Sequence, residues 1–180
     1  MRKRDHPIYS RPGHLIRRLQ QIAVAIFMSE TGRFNMTPVQ YSALLAIELH
    51  PGIDQTTLVD IIAFDRTTIG KVVGRLESKK WVKRVPASHD RRSKCLTITP
   101  AGRKVLRAID AAVDRTQRLI LAPLKPAERD AFVAMLKRLV QLNNSRSRAP
   151  LGMPPDLSRP GRGRTRRGGR AIDSSGEVSR

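Results

Sequence analysis

What most constrains this chain is the order of elements between Pro51-Gly52 and Thr99-Pro100. Residues 55–63 set Leu58, Ile61 and Ile62 on one side of a short helix. Phe64-Asp65 then turns the chain, and Asp65 is placed to cap a second helix over residues 66–79. Residues 81–85 and 94–99 have strand composition and flank a polar segment, 86–93. Helix, tight turn, helix and hairpin is the order of a winged helix-turn-helix.

The flanks read as further helices. Leu15, Leu19, Ile22 and Ile26 form one stripe over residues 12–29. Thr37-Pro38 pairs an N-cap with a proline in the first turn and opens a helix through Leu49. Thr99-Pro100 does the same for a long helix carrying Val105, Leu106, Ile109, Ala112, Val113, Leu119 and Ile120 at helical spacing. Pro123 and Pro126 interrupt it, and residues 126–142 supply a last amphipathic helix. With 39% hydrophobic residues but only 4% aromatic ones, aliphatic helix packing is expected over an aromatic-rich sandwich. No apolar run approaches the ~20 residues of a membrane span, and residues 1–10 lack the apolar stretch of a signal peptide. A cytoplasmic, nucleoid-associated protein is expected.

Charge indicates the partner. Lys and Arg number 35 against 15 Asp and Glu, a net +20, which points to polyanions and to nucleic acid first. Residues 143–180, rich in Pro, Gly, Ser and Arg, hold nine Arg and three acids, or +6. That composition predicts a disordered tail. The remaining +14 belongs to residues 1–142, so the tail is an accessory to the basicity.

On the second helix of the turn, Ile69, Val72, Val73 and Leu76 share a face that must be core. The opposite face carries Thr67, Lys71, Gly74 and Arg75, with Thr68 and Gly70 at its flanks and no carboxylate, and Arg66 at the helix start is a further expected DNA contact. Such a face suits a phosphate-lined groove: the cations reach phosphates or guanine edges, and the threonines reach bases or backbone. Gly70 and Gly74 each cost about 1 kcal/mol of helix propensity relative to Ala, which implies that they let the helix sit deep. In the hairpin, Asp90, Arg91, Arg92 and Lys94 lie at or near the tip. Arginine there can enter the minor groove, and Asp90 would hold Arg92 in one rotamer. The plain alternative is a solvated helix face and an ordinary charged turn.

Asp90-Arg91-Arg92-Ser93, followed by Leu96-Thr97-Ile98-Thr99-Pro100-Ala101-Gly102, resembles the wing and its exit in MarR-family transcriptional regulators. So does Leu58 through Asp65-Arg66-Thr67-Thr68-Ile69 to Arg75-Leu76-Glu77. The resemblance covers about residues 12–142. Trp81 is a departure, standing where a glycine usually precedes the first wing strand. The resemblance implies a mainly α fold: a winged helix-turn-helix lobe over residues 37–99, with a two- or three-stranded wing. Residues 12–36 and 100–142 are then a helical dimerisation region built from the N- and C-terminal helices. Residues 1–11 form a flexible N-terminus. A twofold homodimer would set two recognition helices about one DNA turn apart, on a pseudo-palindromic double-stranded operator.

Regulators of this family commonly respond to a small anionic aromatic. Residues 11–19 resemble the opening helix of members controlling aromatic-acid breakdown, with nicotinate repressors the nearest likeness. His14 and Arg18, four apart, together with Tyr41 could hold a carboxylate and a ring; surface or dimer contacts are the equal alternative for His14 and Arg18. The expected function is therefore a repressor released by an aromatic acid such as a hydroxylated nicotinate or benzoate. The rival is a nucleoid-type protein binding DNA without sequence choice. Cys95, in a wing strand, reads as a plain strand residue rather than a redox sensor. The four histidines lack metal-ligand spacing, and no nucleophile–base, phosphate-loop or paired-acid motif is present. No catalytic residue, cofactor, metal or membrane partner is expected.

Overall fold

The computed structural model describes residues 7–86 and 94–152. Among the described residues, six α-helices and one antiparallel strand pair are formed: α1 (Pro12–Thr31), α2 (Pro38–Leu49), α3 (Gln55–Ile62), α4 (Arg66–Ser78), β1 (Val82–Pro86), β2 (Lys94–Ile98), α5 (Pro100–Leu121) and α6 (Pro126–Asn143). Three short 3-10 turns, at Pro7–Ser10, Gly32–Phe34 and Asn144–Arg146, punctuate them.

Helix starts coincide with residues that can accept from free backbone N–H groups. Thr37 accepts from Gln40, whose side chain returns the bond to the Thr37 N–H; Asp54 accepts from Thr57, Asp65 from Thr68 and Thr99 from Gly102. Proline occupies the first turn of α1, α2, α5 and α6, where its missing N–H costs nothing.

β1 and β2 pair antiparallel from Val82 with Ile98 to Pro86 with Lys94. The wing sheet has two strands, and a single bridge between Asp54 and Cys95 ties it to the start of α3. Of the two or three strands expected, two form, and the position of a third is held by that bridge alone, where Pro51 and Gly52 (φ 82°) turn the chain just before Ile53. The Leu96 N–H still donates to the Ile53 carbonyl at 2.7 Å.

The core lies in the winged lobe. Leu44 and Ile47 of α2, Leu58 of α3, Ile69, Val73 and Leu76 of α4, and Leu96 and Ile98 of β2 are all buried together. α5 leaves the lobe and packs along α1, burying Ile109, Ala112 and Val113. Part of the α5 stripe is therefore consumed within the protomer. The apolar faces left open are on α1 (Leu15, Ile16, Ile22) and α6 (Met135, Leu139, Val140, Leu142), and α6 buries no residue at all.

Residues 144–152 take a defined path, where composition predicts that the unfolded tail has already begun. The Asn144 side chain bonds Leu151 in both directions, and Gly152 reaches α3. Local hydrogen bonding by Asn144 and Ser147 supplies what apolar burial does not. Residues 153–180 lie outside the described part.

Candidate nucleic-acid interface

The interface is built on α4. Its buried face, Ile69, Val72, Val73 and Leu76, is the one that the helical period predicts. This anchoring turns Arg66, Thr67, Lys71 and Arg75 outward, and all four are exposed. None of these three cations pairs with a carboxylate among the described residues, whereas Arg84, Arg103 and Arg115 do, with Glu77, Glu48 and Glu30. Cations that no carboxylate pairs with are left to attract phosphate rather than offset an acid.

Asp65 precedes this face as the N-cap of α4. Its carboxylate accepts from the Thr68 N–H at 2.8 Å and from the Thr68 hydroxyl at 2.5 Å, and these bonds hold it below the usual aspartate range. The hydroxyl proton of Thr68 is therefore committed to the cap. Thr67, exposed and uncommitted, is the better placed of the two threonines to meet a base or phosphate.

Neither helical glycine is required by internal packing. A Cβ on Gly74 would meet nothing within 4 Å, and one on Gly70 would make ordinary contact with the Gln55 amide at 3.5 Å.

The far end of α4 stops in a Schellman arrangement: Trp81 N–H donates to the Leu76 carbonyl and Lys80 N–H to that of Glu77, with Lys80 left-handed at φ 58°. The strained position falls on Lys80, so Trp81 needs no glycine-like backbone and the wing strands follow directly. Trp81 instead serves as a platform. The Lys79 ammonium lies 4.5 Å from its ring centroid and donates to the Asn35 carbonyl. Burial first, and Arg75 second, lower the Lys79 pKa.

The exit motif Thr99-Pro100-Ala101-Gly102 has a packing reason that sequence reasoning did not supply. Thr99 donates its hydroxyl to the Lys80 carbonyl at 2.7 Å while capping α5. A Cβ on Gly102 would stand 2.3 Å from the Trp81 carbonyl oxygen, so only glycine lets α5 start against the α4–β1 turn.

Among the expected DNA contacts, Lys94 is exposed at the start of β2. Asp90, Arg91 and Arg92 lie outside the described residues. Cys95 is a free, half-buried thiol opposite Val85.

The expected effector residues are not gathered within one protomer. His14 packs edge-on against Tyr9, with ring centroids 5.5 Å apart, and Arg18 donates to the Gln21 side chain. Tyr41 packs on Phe27, thirteen residues further along α1 than His14, or ~20 Å at the helical rise. Tyr41 borders a cleft of about 240 Å³ with Leu45, Glu48, Arg103, Leu106, Arg107 and Asp110. Burial, then Asp110 and Asp114, raise its phenol pKa, so it is a protonated donor near neutrality. Arg103 and Arg107 are cations of this cleft that the sequence reading missed; they surface only when α5 is laid across α2.

Among the described residues no helix is long and apolar enough to cross a membrane, and no three or more His, Cys, Asp or Glu are grouped to hold a metal.

The sequence profile of the MarR family matches residues 34–93. The chain is 39% identical over 104 residues to a regulatory protein assigned to the hcr operon of Thauera aromatica, spanning 58% of this chain and 63% of that one, less than two thirds of its length. Among solved structures, PcaV of Streptomyces coelicolor, a transcriptional regulator in complex with its natural ligand, is 32% identical with a TM-score of 0.66, covering 74% of this chain and 94% of its own. BpsR of Bordetella bronchiseptica, whose DNA binding is regulated by 6-hydroxynicotinic acid, is 29% identical with a TM-score of 0.68, covering 72% and 93%. These relatives are transcriptional regulators, not enzymes.

Proposed function

The chain belongs to the MarR family of winged-helix transcriptional regulators, and on that premise we propose that it is a homodimeric repressor of an operator released by a small aromatic carboxylate. One observation carries the DNA-reading part: an outward α4 face with Arg66, Thr67, Lys71 and Arg75 and no carboxylate. Lys71 and Arg75 take phosphates or guanine edges in the major groove, and Thr67 a base or backbone oxygen. Asp65 and Thr68 hold the helix start. The wing, with Asp90, Arg91, Arg92 and Lys94, reaches the neighbouring minor groove.

Residues 37–99 form the reading lobe, and 12–36 with 100–142 the dimerisation region. Support for pairing comes from apolar side chains left open on α1 and α6; Leu139 and Leu142 are 55% and 71% exposed. A second copy is the natural cover for such faces. The dimer places two α4 helices about one DNA turn apart.

For the effector, Tyr41 and Arg107 offer a phenol donor and a cation beside apolar Leu45 and Leu106, with Arg103 held at the cleft by its ion pair with Glu48. A pocket that also uses His14 and Arg18 requires the amino end of α1 from the other subunit. A hydroxylated nicotinate or benzoate fits this chemistry, and 6-hydroxynicotinic acid is the first to try because of its effect on BpsR. By binding one spacing of the two lobes better than the other, it shifts the population away from the DNA-fitting form.

The test is a gel-shift titration with duplex from upstream of the chain's own gene. Lys71→Ala together with Arg75→Ala should abolish the specific complex and leave the fold intact. Retained specific binding would contradict the α4 reading.

A further inference from the structure

The cleft between α2 and α5 has two unlike ends. At one, the Arg103 Nε–H donates to Glu48 at 3.2 Å; at the other, Tyr41 feels the charges of Asp110 and Asp114. The two helices therefore run past each other in opposite senses. From Arg103 to Asp110 is seven residues of α5, ~10.5 Å at the helical rise. Leu45 and Leu106 lie between the ends, and the cleft holds about 240 Å³. That is less than the ~300–1,000 Å³ of drug-sized sites, and it suits a single ring laid on the two leucines.

The polar groups of the two ends differ in what they leave open. Glu48 spends one oxygen on Arg103, and its other oxygen is buried without a partner, closed to solvent and so to a ligand. Arg107 and Asp110 are both exposed, stand three apart on α5, and form no ion pair among the described residues, not even with each other. A long helical side chain leans toward the amino end of its helix. The Arg107 guanidinium is thus carried toward Arg103, while the short Asp110 carboxylate stays at the Tyr41 end. Tyr41 keeps its phenol proton there, so this end offers one acceptor and one donor. A hydroxyl group matches both: its O–H donates to Asp110 and its oxygen accepts from Tyr41. At the opposite end, Arg107 is a cation without an acid of its own and takes a carboxylate. An aromatic acid lacking the hydroxyl gains Arg107 but sets a bare ring against Asp110.

We propose that the cleft selects aromatic acids whose hydroxyl stands across the ring from the carboxylate, and that Asp110 is the residue that makes this hydroxyl necessary. The inference rests on the effector role proposed above for the cleft. A hydroxyl beside the carboxylate does not serve, because with the acid on Arg107 it lies at the wrong end to reach Asp110. A site built to bond a hydroxyl rejects the analogue without it, since its own polar group is then left unpaired.

Isothermal titration calorimetry of the full-length protein with 4-hydroxybenzoate, 2-hydroxybenzoate and benzoate tests it, repeated on Asp110→Ala and Arg107→Gln. The unaltered chain should bind 4-hydroxybenzoate ~10- to 100-fold more tightly than either of the others, the range for a hydrogen bond to a charged group. Asp110→Ala should bring that ratio toward one. Arg107→Gln should weaken 4-hydroxybenzoate by at least ~10-fold. Equal affinity of the unaltered chain for the three acids, or a preference for the 2-hydroxy acid, overturns the selection. The preference retained in Asp110→Ala overturns the role of Asp110, and undiminished binding in Arg107→Gln overturns the orientation. Absence of binding by all three acids overturns the effector reading of the cleft, and the inference with it.

Discussion

Asp65 shows how a single acid can set the start of the helix proposed to read DNA. Its carboxylate is held by two bonds from Thr68, which lower its pKa from the ordinary 3.8. A depressed carboxylate contributes stability that is present above its unfolded pKa and lost as pH falls through the folded one. Asp65→Ala should therefore unfold at lower temperature near neutral pH. The gap to the unaltered protein should close below pH 3.8 in thermal melts followed by circular dichroism. Gly102 makes the opposite case, a residue chosen for what it lacks. Gly102→Ala forces a methyl against the Trp81 carbonyl and should cost about 1–3 kcal/mol in denaturant unfolding. At the wing, Arg92→Ala is expected to weaken binding where the operator flanks are A·T-rich, measured by gel shift on flank-substituted duplexes. Unchanged binding there would remove its minor-groove role.

At the scale of elements, α4 is anchored by four apolar residues and leaves its outer face open. Gly74 lies on that outer face in open space, so Gly74→Ala should stabilise the helix by about 1 kcal/mol. If the missing side chain lets α4 approach the groove, the same variant binds operator more weakly; stabilised protein with unimpaired binding would end that explanation of the glycine. Most helix starts were legible because they lie on local chemistry: Thr37-Pro38, Asp65 and Thr99-Pro100 name their own positions. The buried face of α4 was legible from its period. What stayed hidden depends on distant parts meeting. Lys80 and Ala63 take left-handed backbone where no glycine marks the turn. Gly102 is explained only by Trp81, and Arg103 and Arg107 join Tyr41 only once α5 crosses α2. His14 and Arg18 are four apart on α1, but that spacing could not tell that Tyr41 of α2 packs on Phe27, far along α1 from both.

For the whole molecule, the division into a packed winged lobe and a sparsely buried helical region sets the expected behaviour. α1 and α6 keep apolar faces that the protomer does not cover. Sedimentation equilibrium should return twice the 20.2 kDa chain mass, and Leu139→Glu should shift it toward one copy while weakening operator binding. A full-strength operator complex from a monomeric Leu139→Glu would contradict pairing as a condition of function. The net +20 of the chain would by itself bind any duplex, so affinity alone says little. Specificity is the central claim, and a competition titration measures it directly. At physiological salt, a duplex from upstream of the chain's own gene is set against a scrambled duplex of the same length and composition. A specific regulator should prefer the first by at least ~10³; equal affinity for the two would contradict the account and leave a general DNA-coating protein in its place.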